Sequence, residues 1–294
     1  MPWFFKKKKL SHYEQLASKW LEKQKKTQER LLYNHGSVFQ QYIDNSKQLA
    51  IGSLAGLMLL FSPATPSQAT APATVKEAPV SLDKTTKLIL DLSAVLPGTV
   101  QPLTVDQNSK VSVLLTKFLG APVSASLQDI SLNTTYGLIG QEQHLYRYPG
   151  DTITDQLPTV ASYDEFSSYG IAPGLGAYGY FAPSRASMTQ EESDREKWYI
   201  AVQTFMAPGY NENVAAYNKF FMFRKMLVVN PQNGKAIVAD IGDAGPSPWT
   251  GKSLGGSPEV MHYLDRVDGA DKGPVLYFFI DDPQDKIPLG PVQQ

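Results

Sequence analysis

The chain has no cysteine among its 294 residues. That excludes a disulfide framework, a thiolate metal site and a cysteine nucleophile. It does not exclude export, because a large core needs no covalent staples. Histidine is nearly as scarce. His12, His35, His144 and His262 are the four, no two stand at metal-ligand spacing, and no metal site is expected. No Gly-x-Ser-x-Gly elbow marks a nucleophilic serine. A strong excess of one charge is also missing, since the formal net charge is -1.

That balance hides a split. Residues 1–48 carry ten Lys and Arg against four Asp and Glu, and the remainder carries 17 basic against 24 acidic residues. Such asymmetry speaks to topology and partners more than to fold. Long apolar runs are absent apart from one, LAIGSLAGLMLLFS at 49–62. It is short for a bilayer span, which takes about 20 residues, and suits a signal-type apolar region of about 7–15. The basic residues ahead of it hold the N-terminus in the cytoplasm. The long lead favours an uncleaved single-pass anchor with the C-terminal part outside the cytoplasm. The alternative is secretion after cleavage near Ala69 to Ala71, where small-x-small patterns stand. A buried helix of a soluble domain would account for neither the flanking charge nor the linker that follows.

Five segments follow from this reading. They are a basic cytoplasmic lead with a helical stretch (1–48), the membrane segment (49–62), a Pro/Ala/Thr/Ser-rich linker (63–82), a small helical region (83–130) and a main domain (131–294). Helical spacing of apolar residues at 88–95 and 110–119 marks the small region, the second ending at Gly120. The main domain is dense in Tyr, Phe, Gly and Pro. Strands are expected at 136–139, 177–181, 198–206, 220–229, 235–241 and 275–280, with helices at 189–196 and 257–264 and inserted loops at 150–176 and 207–218. Ser257-Pro258 gives the last helix a cap and a first-turn proline. Many short strands with few helices predict a mainly β fold closed into a barrel.

Two glycine patterns imitate nucleotide sites and fail. Gly174-Leu175-Gly176-Ala177-Tyr178-Gly179 follows a proline and runs into aromatic residues, not into a helix. Gly245 to Ser253 has five residues where a phosphate loop needs four, and Pro246 and Pro248 lack the N–H groups such a loop uses. No cofactor and no nucleic-acid partner are expected. The polar-aromatic string from Gln141 to Asp151, with Glu142 and His144, either lines a cleft or forms a hydrogen-bonded surface strand.

Asp243 is the principal candidate. It follows the apolar run 235–241, so it stands at a buried strand end. A carboxyl partly withdrawn from water there has a raised pKa and can protonate a glycosidic oxygen. Equally, an Asp beside Gly and Pro commonly hydrogen-bonds its own turn. Trp249 offers a flat apolar face to a sugar ring, or serves as a rim aromatic.

The same residues carry a family resemblance. Val229-Asn230-Pro231, then Asn233-Gly234-Lys235, an apolar strand and Asp243-Ala244-Gly245-Pro246 resemble the core of the rare lipoprotein A-like double-psi β-barrel. That six-stranded barrel recurs in expansins and membrane-bound lytic transglycosylases. The likeness covers about 221–264 plus the closing strand 275–280. It implies an envelope glycan, chiefly peptidoglycan, as ligand. In lytic members one carboxyl group acts as acid and base for an intramolecular ring closure, and the matching position is Asp243. The sequence departs from the family pattern in three places. Tyr199 to Thr204 holds no His where the family has Ala-Ala-His, Ala244 replaces an Arg, and Lys252 to Ser257 lacks the usual Asp. Glu142, Glu196 and His144 are available to replace the missing partners.

The expectation is therefore a membrane-tethered envelope protein whose barrel groove binds peptidoglycan or a related glycan. Trp249, Tyr199, Gln203, Glu142, His144 and Lys252 shape the groove. The alternatives are a lytic transglycosylase-type enzyme using Asp243, and a protein-interaction module with an exposed aromatic patch away from Asp243.

Overall fold

The structure, a computed structural model, describes residues 83–266 and 272–293. The lead, apolar segment and linker expected at 1–48, 49–62 and 63–82 lie outside the described residues. Among the described residues, no helix is long and apolar enough to cross a membrane.

Two helices come first, α1 (Lys84–Ser93) and α2 (Val105–Leu119). Asp83 accepts from the Thr86 N–H to start α1, and Thr104 and Gln107 form a reciprocal capping box on α2. Gly120 ends α2 in the left-handed conformation. Three two-residue strands follow, β1 (Val123–Ser124), β2 (Ser126–Leu127) and β3 (Ile130–Ser131).

The barrel strands are β4 (Tyr136–Gln141), β5 (Tyr199–Val202), β6 (Lys225–Val229), β7 (Ala236–Ala244), β8 (Leu254–Gly256) and β9 (Lys272–Ile280). The ring runs β9–β4–β8–β5–β7–β6 and closes on β9. The β4–β8 and β5–β7 pairs are parallel and the other four antiparallel, so the barrel is mixed. Outside the ring, β1 pairs with β9, and β10 (Gly290–Pro291) pairs with β7. Between β4 and β5 stand α3 (Ile153–Gln156), α4 (Val160–Phe166) and α5 (Gln190–Lys197). α6 (Val214–Phe221) precedes β6, and α7 (Pro258–Tyr263) follows β8.

Strand alternation separates two cores. Met226, Val228, Ile237, Ala239, Ile241, Val275, Tyr277 and Phe279 point into one cluster with Ile139, Ile200 and Leu254. The intervening Leu227, Val229, Ala236, Val238, Leu276, Phe278 and Ile280 point the other way, onto Leu88 and Leu92 of α1 and Val111 and Leu115 of α2. Both faces of β6, β7 and β9 are thus covered, which is why these strands read as continuous apolar runs. Each fully buried large side chain here contributes roughly 1.5–3 kcal/mol. The β6–β7 turn is fitted to α1. Gly234 has a φ of 71°, and a Cβ there would lie 2.4 Å from Thr85 Cγ2.

Three expected strands differ in the structure, one absent and two shorter. Residues 177–181 form a turn, with the Gly179 N–H donating to Gly176 O; Pro173 and Pro183 flank it, and its aromatics act as plugs. The strand expected over 198–206 stops at Val202 and passes into a 3-10 turn, Thr204–Met206. Phe220 and Phe221 belong to α6, because the Asn213 side chain caps that helix on the Ala216 N–H; Phe223 then reverses the chain at a φ of 53°. The long insertions carry short helices rather than plain loop.

Candidate functional site

Asp243 stands near the end of β7, half-buried. Its Oδ1 accepts from two backbone N–H groups, Ala177 at 2.6 Å and Ala244 at 2.7 Å. The first donor comes from the glycine string that imitated a nucleotide fingerprint. Gly176, just before that donor, packs close to Leu145, Gly242 O and the Asp243 carboxyl. Burial raises the Asp243 pKa above the ordinary carboxylate value, and the two N–H donors offset only part of that rise. With Oδ1 engaged by both donors, a proton on this group sits on Oδ2.

Glu142 lies close enough for its charge to feel Asp243. Burial raises its pKa, the Lys252 ammonium opposes the rise, and Asp243 adds to it. Lys252 Nζ is 3.1 Å from Glu142 Oε1 and donates to Gln141 O at 2.7 Å. The approach depends on Gly255, where a Cβ would meet Glu142 Cγ at 2.2 Å. Trp249 caps the loop that leaves Asp243, on the turn Pro248–Thr250, and is 87% exposed.

Other expected groove residues serve the fold. Gln203 is buried and donates to Pro246 O at 3.0 Å and to Lys252 O at 3.1 Å, which pins both ends of the Trp249 loop. Tyr199 is buried beneath Gly242 and spends its hydroxyl on Gln143 O. Tyr199 belongs to β5, all four of whose residues are buried, and Gln203 follows directly after it.

His144 belongs to a separate cluster. Its Nδ1 lies 3.2 Å from Glu196 Oε1, which also accepts from the Leu145 N–H at 3.0 Å. Burial works against a charged His144, but the Glu196 contact outweighs it and the pKa is raised. Burial pushes nearby Glu259 up to about 7; His144 opposes the rise and Glu196 adds to it. The three line a cavity of about 270 Å³ together with Arg147 and Ser162. Glu259 carries no signal in the sequence, because it sits inside α7 as an ordinary first-turn acid. Arg147 is held by Asp151 through a two-pronged pair at 2.9 Å.

Among the described residues, no group of three or more His, Cys, Asp and Glu is arranged to hold a metal ion. Compared with protein families, with curated proteins and with solved structures, the chain finds no match.

Proposed function

We propose that this is a cell-envelope protein, tethered by residues 49–62, whose barrel binds peptidoglycan or a related glycan on the Asp243 face. The closed barrel is read as a divergent double-psi barrel of the rare lipoprotein A-like kind. The observation that carries the reading is the exposed Trp249 ring on the loop between Asp243 and the Lys252–Glu142 pair. Its indole offers a flat apolar face, with an N–H at one edge, on which a sugar ring can stack. The loop that carries it runs from the Asp243 carboxyl group to the Lys252 ammonium, groups able to hydrogen-bond sugar hydroxyls and acetamido groups. The Trp249 ring lies on the Asp243 loop itself, which favours a glycan over a protein-interaction module using aromatics elsewhere.

A second reading, cleavage of the glycan by ring closure, is supported by Asp243 itself. A raised pKa with Oδ1 on two N–H donors suits a group that donates and then removes a proton. The full-length chain, incubated with purified peptidoglycan, distinguishes the two. Binding predicts co-sedimentation without anhydro-sugar products by mass spectrometry. Products that vanish in Asp243→Asn would establish the enzyme instead. Neither sedimentation nor products would defeat both.

A further inference from the structure

The molecule holds a second acidic site farther back along β7, where Asp240 lies opposite Tyr199 of β5. Asp240 points out of the barrel and is 1% exposed. Neither of its carboxylate oxygens makes a hydrogen bond among the described residues. The nearest cationic atom paired with it is Arg195 Nε, 3.8 Å away and outside hydrogen-bonding range. Lys225, its neighbour across the β6–β7 ladder, turns away to Asp282 at 3.0 Å, and also to Asp285 and Ile287 O. Arg195 is likewise committed, with Glu191 on one side and the Phe223 ring 4.8 Å beneath it.

Asp240 forms one wall of a cavity of about 270 Å³ between α5, the Phe223 turn and the segment before β10. The lining contains four carboxylates, Glu191, Asp194, Asp240 and Asp285, against the two cations already described. Ile287, Pro288 and Leu289 give it an apolar side. A buried carboxyl group with neither oxygen hydrogen-bonded is costly to leave without a partner. An acidic cavity with an apolar side provides for a cation carried on a hydrocarbon chain.

We propose that this cavity binds the ammonium group of an alkyl primary amine, with Asp240 as its counter-ion and residues 287–289 against the alkyl chain. A compact ammonium fits better than a guanidinium. The Arg195 guanidinium already flanks Asp240, and a second planar cation would have to stand against it. The site is independent of the glycan reading, since Asp243 and Trp249 are not part of its lining. Burial, its largest influence, holds the Asp240 pKa well above the usual carboxylate value, and Arg195 and Lys225 only partly oppose this. Amine binding therefore drives a proton off Asp240.

Calorimetry on the full-length chain tests this with n-butylammonium, n-butylguanidinium and n-butanol at constant ionic strength. Two buffers of different ionisation enthalpy count the protons released. Saturable butylammonium binding with proton release is expected, with no binding of butanol. Asp240→Asn weakens it by at least about tenfold, the loss typical of an unpaired buried charge. Asp243→Asn leaves it unchanged. The proton count is read on the wild type, so it stands even if Asp240→Asn fails to fold. Binding without proton release, equal binding of butanol, tighter binding of the guanidinium, or undiminished binding by a folded Asp240→Asn variant would overturn the proposal.

Discussion

Gly242 and Gly255 both sit where a side chain has no room, but the obstacles differ. At Gly242 a Cβ would lie 2.7 Å from Tyr199 Cβ, an atom fixed to a central strand. At Gly255 the obstacle is the flexible Glu142 side chain, which can swing aside. Gly242→Ala is expected to destabilise the fold by about 1–3 kcal/mol, the usual cost of overpacking a core. Gly255→Ala is expected to cost about 1 kcal/mol or less, while breaking the Glu142–Lys252 pair. Denaturant unfolding of both variants checks the order, and equal losses would contradict it. Asp243 was legible at this scale because the apolar run before it and the Gly-Pro after it mark a strand end. Its N–H donor from Ala177 was not legible, because 66 residues separate the partners.

At the scale of elements, the Trp249 loop is held by one side chain. Gln203→Ala removes the donor shared by Pro246 O and Lys252 O. A stability loss of about 1–3 kcal/mol is expected, from stranded buried acceptors. Glycan affinity is expected to fall with it, since the loop loses its fixed geometry. Thermal unfolding and sedimentation on glycan, measured on the same variant, report the two effects separately. The elements that were legible had two agreeing signals. β7 and β9 combine apolar runs with turn residues, and α7 combines Ser257 with Pro258. The misread ones had one. Residues 177–181 carry alternating aromatics without strand partners, and Tyr178 and Phe181 pack edge-on and stacked against Phe223. Residues 220–223 continue an apolar run into β6, but the Asn213 cap upstream had already started a helix.

Over the whole molecule, the buried titratable groups bias stability toward mildly acidic pH. Glu259 has an ordinary value of 4.5 and is pushed to about 7 in the fold. A carboxyl raised in this way binds its proton more tightly when folded. It adds no penalty below its ordinary value, and as pH rises past the folded value the penalty grows to about 3 kcal/mol. His144 acts in the same direction. Its raised pKa gives stability that is complete below the ordinary 6.5 and is lost as pH rises through the folded value. The lowered Asp151 and Asp282 titrate below 3.8 and leave this window untouched. The melting temperature is expected to fall between about pH 5 and pH 8, and Glu259→Gln should reduce the slope. A flat or rising profile would contradict the arrangement of the His144–Glu196–Glu259 cluster.

The barrel thus carries a clamped carboxyl group near the end of β7, an exposed indole on the loop that follows, and an ammonium–carboxylate pair where that loop ends. Sedimentation of the full-length chain with purified peptidoglycan, wild type beside Trp249→Ala, tests the reading of that face most directly. The wild type is expected to pellet with the glycan, while Trp249→Ala stays largely in solution, at least about tenfold weaker, and melts at the same temperature. Equal pelleting of the two proteins, or none by the wild type, would contradict it.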